Sequence, residues 1–133
     1  AGATGVLATY TLPAGTLAVD KQAVRITAWG TKSGAAAAAT LQARFNTGTQ
    51  MSVSITINAT FWCVTWVIIR TGAATQDYFV TFPDNTATST VINAGTDAET
   101  LANALAIDLN VSAINAADTI TQAGFMVEFL NFA

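Results

Sequence analysis

Two carboxylates in the last third of the chain have a spacing that could support catalysis. Asp97 and Glu99 lie two positions apart, and a pair of carboxyl groups can act as the acid and the base of a glycosidase. The same segment also resembles the start of a helix, because Thr96 and Glu99 are spaced as a capping box ahead of Leu101. A solvated connection is the simpler interpretation, either with one helical turn or extended, and no catalytic residue is assigned.

The chain lacks the side chains that most other catalytic mechanisms need. The chain has no histidine and a single cysteine, Cys63, so it has no Ser-His-Asp or Cys-His arrangement and no thiolate cluster for zinc. The glycine-rich patterns that cradle phosphates are also absent. Asp84, Asn85 and Asp97 could offer oxygen ligands to calcium, but they lack EF-hand spacing, and Asp-Asn after Pro83 is more simply a turn. We therefore expect a protein that is not an enzyme and carries no cofactor or metal.

The aromatic residues suggest binding rather than catalysis. Trp29, Trp62, Trp66 and Tyr78 could stack against sugars, but most of them lie inside alternating strands, where core or interface packing is favoured. Protein interfaces depend strongly on aromatic and arginine side chains. Trp66 and Arg70 are four positions apart and share one strand face. The predicted interface residues are Trp62, Trp66, Arg70, Arg44 and Trp29.

Alternation of apolar and polar residues predicts strands along most of the chain. A clear case is Leu105, Ile107, Leu109 and Val111, which alternate with polar or small residues. The pattern predicts an all-β, antiparallel, two-sheet β-sandwich of about eight to nine strands, with residues 1–133 as a single domain and residues 1–12 as a possible extended N-terminal arm. The predicted strands are Val6 to Leu12, Gln22 to Trp29, Thr40 to Phe45, Met51 to Ile57, Phe61 to Arg70, Asp77 to Phe82, Thr88 to Ile92, Asn103 to Val111 and Gly124 to Phe132.

Short segments rich in Gly, Pro, Asn and Asp predict the turns between these strands. They are Pro13-Ala14-Gly15, Asn46-Thr47-Gly48, Pro83-Asp84-Asn85 and Asn93-Ala94-Gly95. The alanines from Ala35 to Ala39 are too few to form a stable helix alone, so we interpret them as a loop or the start of a strand.

The strand that begins at Phe61 is apolar on both faces. One side would carry Trp62, Val64, Trp66 and Ile68, and the other Phe61, Cys63, Val67 and Ile69. One side can face the core of a sandwich, whereas the other needs a second layer of the chain or a neighbouring subunit, because large exposed apolar patches mark interaction sites. The sequence therefore indicates a component of an assembly.

The composition and net charge of the chain limit the kinds of molecule that we expect it to bind. Only 10% of the residues are charged, against about 25% in typical soluble domains. The net charge of −3 gives no case for nucleic acid. All five bases precede position 71, where only Asp20 opposes them, and seven acids follow without a base. The two halves could interleave and neutralise each other in one sandwich, or copies could meet basic edge to acidic edge.

Several segments resemble a β-sandwich module of tailed-bacteriophage virion proteins. They are Val24 to Thr31 (VRITAWGT), Thr40 to Phe45 (TLQARF), the strand that ends in Ile68-Ile69-Arg70-Thr71-Gly72 with Gln76 beyond it, and the late segments Ile120-Thr121-Gln122 and Phe125-Met126-Val127-Glu128. Together they extend over roughly residues 10 to 130. The chain departs from that pattern near Ser33 to Ala39, where alanines replace an Asn-rich loop, and at Asn46, where the pattern has Gly.

The resemblance implies a jelly-roll-like sandwich that forms a homotrimer in a virus particle. We therefore expect a capsid decoration protein that stabilises the head lattice through contacts with the major capsid protein or another virion protein. The alternative is a tail-fibre or receptor-binding module that recognises a host surface glycan. No apolar stretch is long enough to span a membrane and no signal peptide is evident, so we expect synthesis in the host cytoplasm and a final location on the virion surface.

Overall fold

The chain folds into two antiparallel sheets. The computed structural model describes residues 3–34, 39–55, 61–83, 90–114 and 118–132. Its strands are β1 Ala3–Leu12, β2 Gln22–Ser33, β3 Ala39–Phe45, β4 Gly48–Ile55, β5 Phe61–Gly72, β6 Thr75–Pro83, β7 Thr90–Asp97, β8 Leu105–Ile114 and β9 Thr119–Asn131. Each predicted strand overlaps one of these. The expected all-β, antiparallel, two-sheet sandwich of eight to nine strands is confirmed.

Long-range pairing joins early strands to late ones. The four-stranded sheet has the order β1-β8-β3-β4, and the five-stranded sheet has the order β7-β6-β5-β2-β9. The segment considered as an N-terminal arm forms β1, which pairs with β8 from Ala3 to Leu12 at the edge of the four-stranded sheet. Within the described residues, no helix is long and apolar enough to cross a membrane.

Alternating side chains from both sheets form the core. On β8, the buried residues are Leu105, Ile107, Leu109 and Val111, as the alternation predicts. Trp66 of β5, in the opposite sheet, belongs to the same buried cluster. Each fully buried aliphatic or aromatic side chain stabilises the fold by about 1.5–3 kcal/mol relative to an exposed one. The inner faces of the sheets are therefore held together mainly by apolar burial.

Two of the predicted turns are observed with the expected backbone. Gly15 and Asn46 take positive φ angles of 70° and 51°, a conformation that Gly and Asn adopt more readily than other residues. Asn46 thus satisfies the backbone requirement at the position where the phage pattern has Gly. The predicted turn at Asp84-Asn85 and the alanines 35–38 lie outside the described residues.

The turn predicted at Asn93-Ala94-Gly95 is wrong. These residues continue β7, which pairs with β6 up to Asp97. Gly95 lies directly opposite Tyr78, and a Cβ atom at Gly95 would lie 2.7 Å from the Tyr78 hydroxyl oxygen. This glycine therefore leaves room for an aromatic ring instead of reversing the chain.

The segment after β7 forms no helix: residues 98–100 have no regular secondary structure and a turn follows at Leu101 and Ala102. The Gln76 side chain fixes it: Gln76 Nε2 donates to the Glu99 carbonyl oxygen at 2.7 Å, and the Glu99 N–H donates to Gln76 Oε1 at 3.0 Å. Gln76 is fully buried. The side-chain amide of Gln76 thus forms hydrogen bonds with both polar backbone groups of Glu99, so these groups do not need the partners that a helix would supply.

Ion pairs join the basic first half to the acidic second half. Arg25 contacts Glu128 at 2.8 Å and Lys32 contacts Asp118 at 3.2 Å. Both pairs connect β2 with β9 or the segment just before it. The interpretation that the two halves interleave and neutralise each other within one sandwich is confirmed by these pairs.

Candidate assembly face

The outer surface of the five-stranded sheet is predominantly apolar. Along β5, Trp62, Val64, Trp66 and Ile68 point into the core, so the alternate residues point outward. The strand pairing places outward residues of the neighbouring strands beside them, because Val67 lies opposite Phe79. We name this surface the apolar face and define it by Trp29, Phe61, Val67, Phe79, Ile92 and Met126.

Large side chains of the apolar face are exposed in the single chain. Phe61 is 66% exposed, Ile92 60%, Phe79 47%, Met126 45% and Trp29 43%. Five strands at about 4.8 Å spacing, each contributing about nine residues of about 3.3 Å, present roughly 700 Å². Covering two such faces would bury about 1,400 Å², which lies within the range of about 1,200–2,000 Å² for stable protein interfaces. The face is therefore large enough to hold an assembly together.

A cross-strand contact fixes the orientation of Trp29 on this face. Trp29 lies opposite Gly124 in the β2–β9 pairing, and a Cβ atom at Gly124 would lie 2.1 Å from Trp29 Cζ2. The indole therefore lies across the glycine. Next to it, Trp29, Phe61, Cys63 and Pro83 border a hollow of about 250 Å³ with almost wholly apolar walls. This arrangement offers a rigid aromatic residue beside a recess, as is common at the centre of protein interfaces.

Two of the charged groups on this face, Arg25 and Glu128, form an ion pair, whereas Asp77 lies outward on β6, opposite Ile69. Arg25 Nε and Nη2 donate to the two carboxylate oxygens of Glu128 at 2.8 and 3.1 Å. The hydrogen bond from Arg25 holds the pKa of Glu128 below its ordinary value, and the same bond raises the pKa of Arg25. A bidentate pair can enter an interface without leaving an isolated charge.

Cys63 lies on the same face, in the middle of the sheet. Partial burial raises the pKa of its thiol, and a hydrogen bond with Thr65 acts in the opposite direction. A thiol with a raised pKa is a weak nucleophile near neutral pH, because only the thiolate reacts. Cys63 therefore behaves as a small apolar residue.

The structure assigns the predicted interface residues to four different environments. Trp62 and Trp66 are 2% and 0% exposed, so their prediction as interface residues is wrong, and they belong to the core. Trp66 packs edge-on against Phe125 with ring centroids 6.4 Å apart. Their burial follows from the alternation itself, because both point to the side of β5 that meets the four-stranded sheet. Trp29 is the predicted residue that lies on the apolar face.

Arg70 acts within the chain. Its Nε atom donates to Asp20 Oδ1 at 2.9 Å and its Nη1 atom donates to the Leu17 carbonyl oxygen at 2.8 Å. Leu17 is buried, so Arg70 holds the connection between β1 and β2 against the end of β5. These contacts within the chain do not test the expectation that Arg70 is an interface anchor, which stays a prediction. Arg44 lies on the outer surface of the other sheet.

The carboxylates considered for catalysis have structural partners. Asp97 Oδ2 accepts from Gln50 Nε2 at 2.6 Å, and Glu99 Oε2 accepts from Asn46 Nδ2 at 2.7 Å. These contacts join the ends of β3 and β4 to the end of β7 and the segment after it, so they connect the two sheets at one edge. Among the described residues, no group of three or more Cys, Asp or Glu side chains could hold a metal ion.

Sequence reasoning missed three residues of the apolar face, namely Phe79, Ile92 and Met126. Each belongs to a strand that contains both polar and apolar residues, so its outward position becomes evident only once the pairing with β5, β6 or β2 is known. The two-sided apolar character of β5 was the signal that pointed to this face. Comparison of the chain with protein-family models, curated proteins and solved structures found no match.

Proposed function

We propose that this protein is a structural component of a bacteriophage particle, a capsid decoration protein that forms a homotrimer on the head surface. The observation that carries the proposal is the apolar face, on which five large apolar side chains are 43–66% exposed in the single chain. The sequence resemblance to phage virion modules supplies the context. Such a protein acts by burying surface, since each contact it makes adds to the stability of the lattice.

Other copies of this chain are the proposed occupants of the apolar face. Arg25 and Glu128 are paired within the chain, so Asp77 is the remaining charged side chain of the described residues on this face, and its single carboxylate has to stay hydrated at the rim of the contact. In a trimer each copy would divide this area of roughly 700 Å² between two neighbours, about 350 Å² for each contact, so residues beside the apolar face would have to add to each interface. Three copies that turn this face toward a common axis would leave the outer surface of the other sheet uncovered.

Solution mass tests the self-association directly. A trimer of 13.7 kDa chains would have a mass of about 41 kDa. Replacing Ile92 with Ser should shift this species toward the monomer, because Ile92 is on the apolar face. Val19→Ser is the matched control, since Val19 is similarly exposed at 53% but belongs to the connection between β1 and β2. A wild-type monomer at high micromolar concentration would contradict the proposal.

Location on the particle tests the virion role. Gold-labelled antibodies against this protein should decorate the whole head of particles from the source organism. Label confined to the tail tip would instead favour the alternative, a module that recognises a host glycan. Particles without label would overturn both assignments, even if the protein self-associates.

A further inference from the structure

The outer surface of the four-stranded sheet contains an open hollow of about 380 Å³ whose walls are half polar and half apolar. Its lining side chains from β3 and β8 are Gln42, Arg44, Asn110 and Ser112, and Gly5 and Val6 of β1 close one side. The β1–β8 pairing shifts register on both sides of Gly5 and Val6. This irregularity lies beside the hollow, whose volume is within the range of about 300–1,000 Å³ for small-molecule sites.

Two polar atoms of the residues that line this hollow are sealed from solvent and have no hydrogen-bond partner in the described structure. They are Arg44 Nε, a donor, and Asn110 Oδ1, an acceptor. A buried polar atom without a partner costs about 1–3 kcal/mol, so protein side chains are rarely left in this state. A ligand that supplies one acceptor and one donor would satisfy both atoms if the groups that cover them move aside when it binds.

The charge of Arg44 favours an anionic acceptor. Asp108 lies opposite Arg44 in the β3–β8 pairing, but Asp108 Oδ1 accepts from the Thr9 hydroxyl at 2.5 Å. Among the residues that the structure describes, Arg44 Nη2 donates to a neutral group, the Thr47 carbonyl oxygen, at 3.3 Å. The three ion pairs of the described residues join other side chains. The guanidinium is therefore available to a carboxylate, for which its planar fork of donors is well suited.

The strand pairing sets the distance that a ligand must span. Gln42 lies opposite Asn110, and Arg44 is two residues further along β3, so Arg44 and Asn110 are diagonal neighbours with backbones about 7–8 Å apart. A ligand must then carry its acidic group and its hydroxyl groups a few bonds apart. Gln42 and Ser112 add further groups that can bind hydroxyls.

We propose that this hollow binds a sugar acid, with its carboxylate on Arg44 and its hydroxyl groups on Asn110 and Gln42. The site lies on the opposite sheet from the apolar face. It is independent of the proposed role in the capsid, and either proposal can fail without the other.

Titration of the ¹⁵N-labelled full chain with D-glucuronate tests the site. D-glucose serves as the matched neutral probe, because it has a hydroxymethyl group where glucuronate has the carboxylate. We expect glucuronate to shift the side-chain signals of Arg44 Nε–H and the Asn110 and Gln42 amides, with a dissociation constant on the order of 1 mM for a ligand of this size. Equal binding of glucose, shifts elsewhere only, or no saturable shift would each overturn the proposal.

Two variants and one control locate the interaction. Arg44→Gln and Asn110→Asp should each weaken glucuronate binding by about tenfold, the first through loss of the cation and the second through an added negative charge. Asn110→Asp is nearly isosteric, so it keeps the test valid if Arg44→Gln fails to fold. Lys21→Asn removes one positive charge from an exposed site between β1 and β2 and should leave binding unchanged. Unaltered binding in folded Arg44→Gln and Asn110→Asp proteins would contradict the assignment.

The source of the sugar acid can be distinguished with an oligogalacturonate trimer. Tighter binding of the trimer than of monomeric galacturonate would identify a residue of an acidic polysaccharide, and tighter binding of the monomer would identify a free sugar acid. Either result supports the site. Failure of both compounds together with glucuronate would refute it.

Discussion

The indole of Trp29 lies across Gly124, its direct neighbour in the β2–β9 pairing, in the space that a side chain at position 124 would occupy. Two other aromatic residues have the same relationship with a paired glycine inside the sandwich: Trp62 with Gly30 and Tyr78 with Gly95. The pair on the apolar face differs because Trp29 is 43% exposed. The glycine therefore orients an aromatic side chain that partners can contact.

Gly124→Ala should displace Trp29 and weaken self-association while leaving the fold intact. The added Cβ would lie 2.1 Å from Trp29 Cζ2, and the exposed indole can swing outward, so we expect a cost of about 1 kcal/mol, the low end for overpacking. Acrylamide quenching reports on Trp29, since Trp62 and Trp66 are buried. We expect stronger quenching and a lower solution mass. Gly5→Ala is the control, because an added Cβ there meets nothing within 4 Å.

The stability of the fold should fall when one partner of the ion pair between Lys32 and Asp118 is removed. The two side chains are 1% and 0% exposed. Lys32→Met leaves the carboxylate buried without its cation, and we expect a loss of about 3–5 kcal/mol in the free energy of unfolding. The double variant Lys32→Met with Asp118→Leu should recover much of that loss. Urea denaturation measures both, and equal losses in the single and double variants would show that the charges are not coupled.

Trp66 should report on the core and not on assembly. Trp66→Ala removes a fully buried indole, and we expect a loss of about 3–5 kcal/mol. Trp66→Phe should cost clearly less, because the Trp66 Nε1 atom has no hydrogen-bond partner in the described structure and its removal relieves a buried donor. Denaturant unfolding gives these values. A folded Trp66→Ala protein with normal stability but a lower solution mass would return Trp66 to the interface.

Alternation predicted the strands well because it depends on one local requirement, the burial of every second side chain. The same pattern showed that β5 has two apolar sides, which led to the apolar face. It did not show which side meets the other sheet, because Trp62 and Trp66 look as suitable for an interface as Trp29 does. That choice depends on which strands cover which side, and hence on strand order.

Features that depend on long-range pairing were not predictable in the same way. Asn93 and Gly95 are residue types typical of a turn. The structure instead explains the glycine at position 95 by the close approach of the Tyr78 ring from β6. Arg44 was predicted as an interface residue on residue type alone. In the described structure the Nε atom of Arg44 has no hydrogen-bond partner, while Asp108 on the neighbouring strand accepts a hydrogen bond from Thr9. Both of these residues are distant from Arg44 in sequence.

The thiol of Cys63 should report on both pH and assembly. Because partial burial raises its pKa in the folded chain, the unfolded chain releases this proton at lower pH than the folded chain does. The contribution to stability is therefore present below the unfolded thiol's pKa of about 8.5 and is lost as pH rises through the folded pKa. Denaturant unfolding should show a steeper alkaline decline for the wild type than for Cys63→Ala.

Alkylation of the same thiol should report on whether the apolar face is covered. Iodoacetamide reacts with the thiolate, so Cys63 should react more slowly than free cysteine at pH 8 even in the monomer. Self-association through the apolar face should slow the reaction further as protein concentration rises. Ile92→Ser, which is expected to remain monomeric, should abolish this concentration dependence. A rate that is independent of concentration in a wild-type trimer would mean that the subunits meet through another surface.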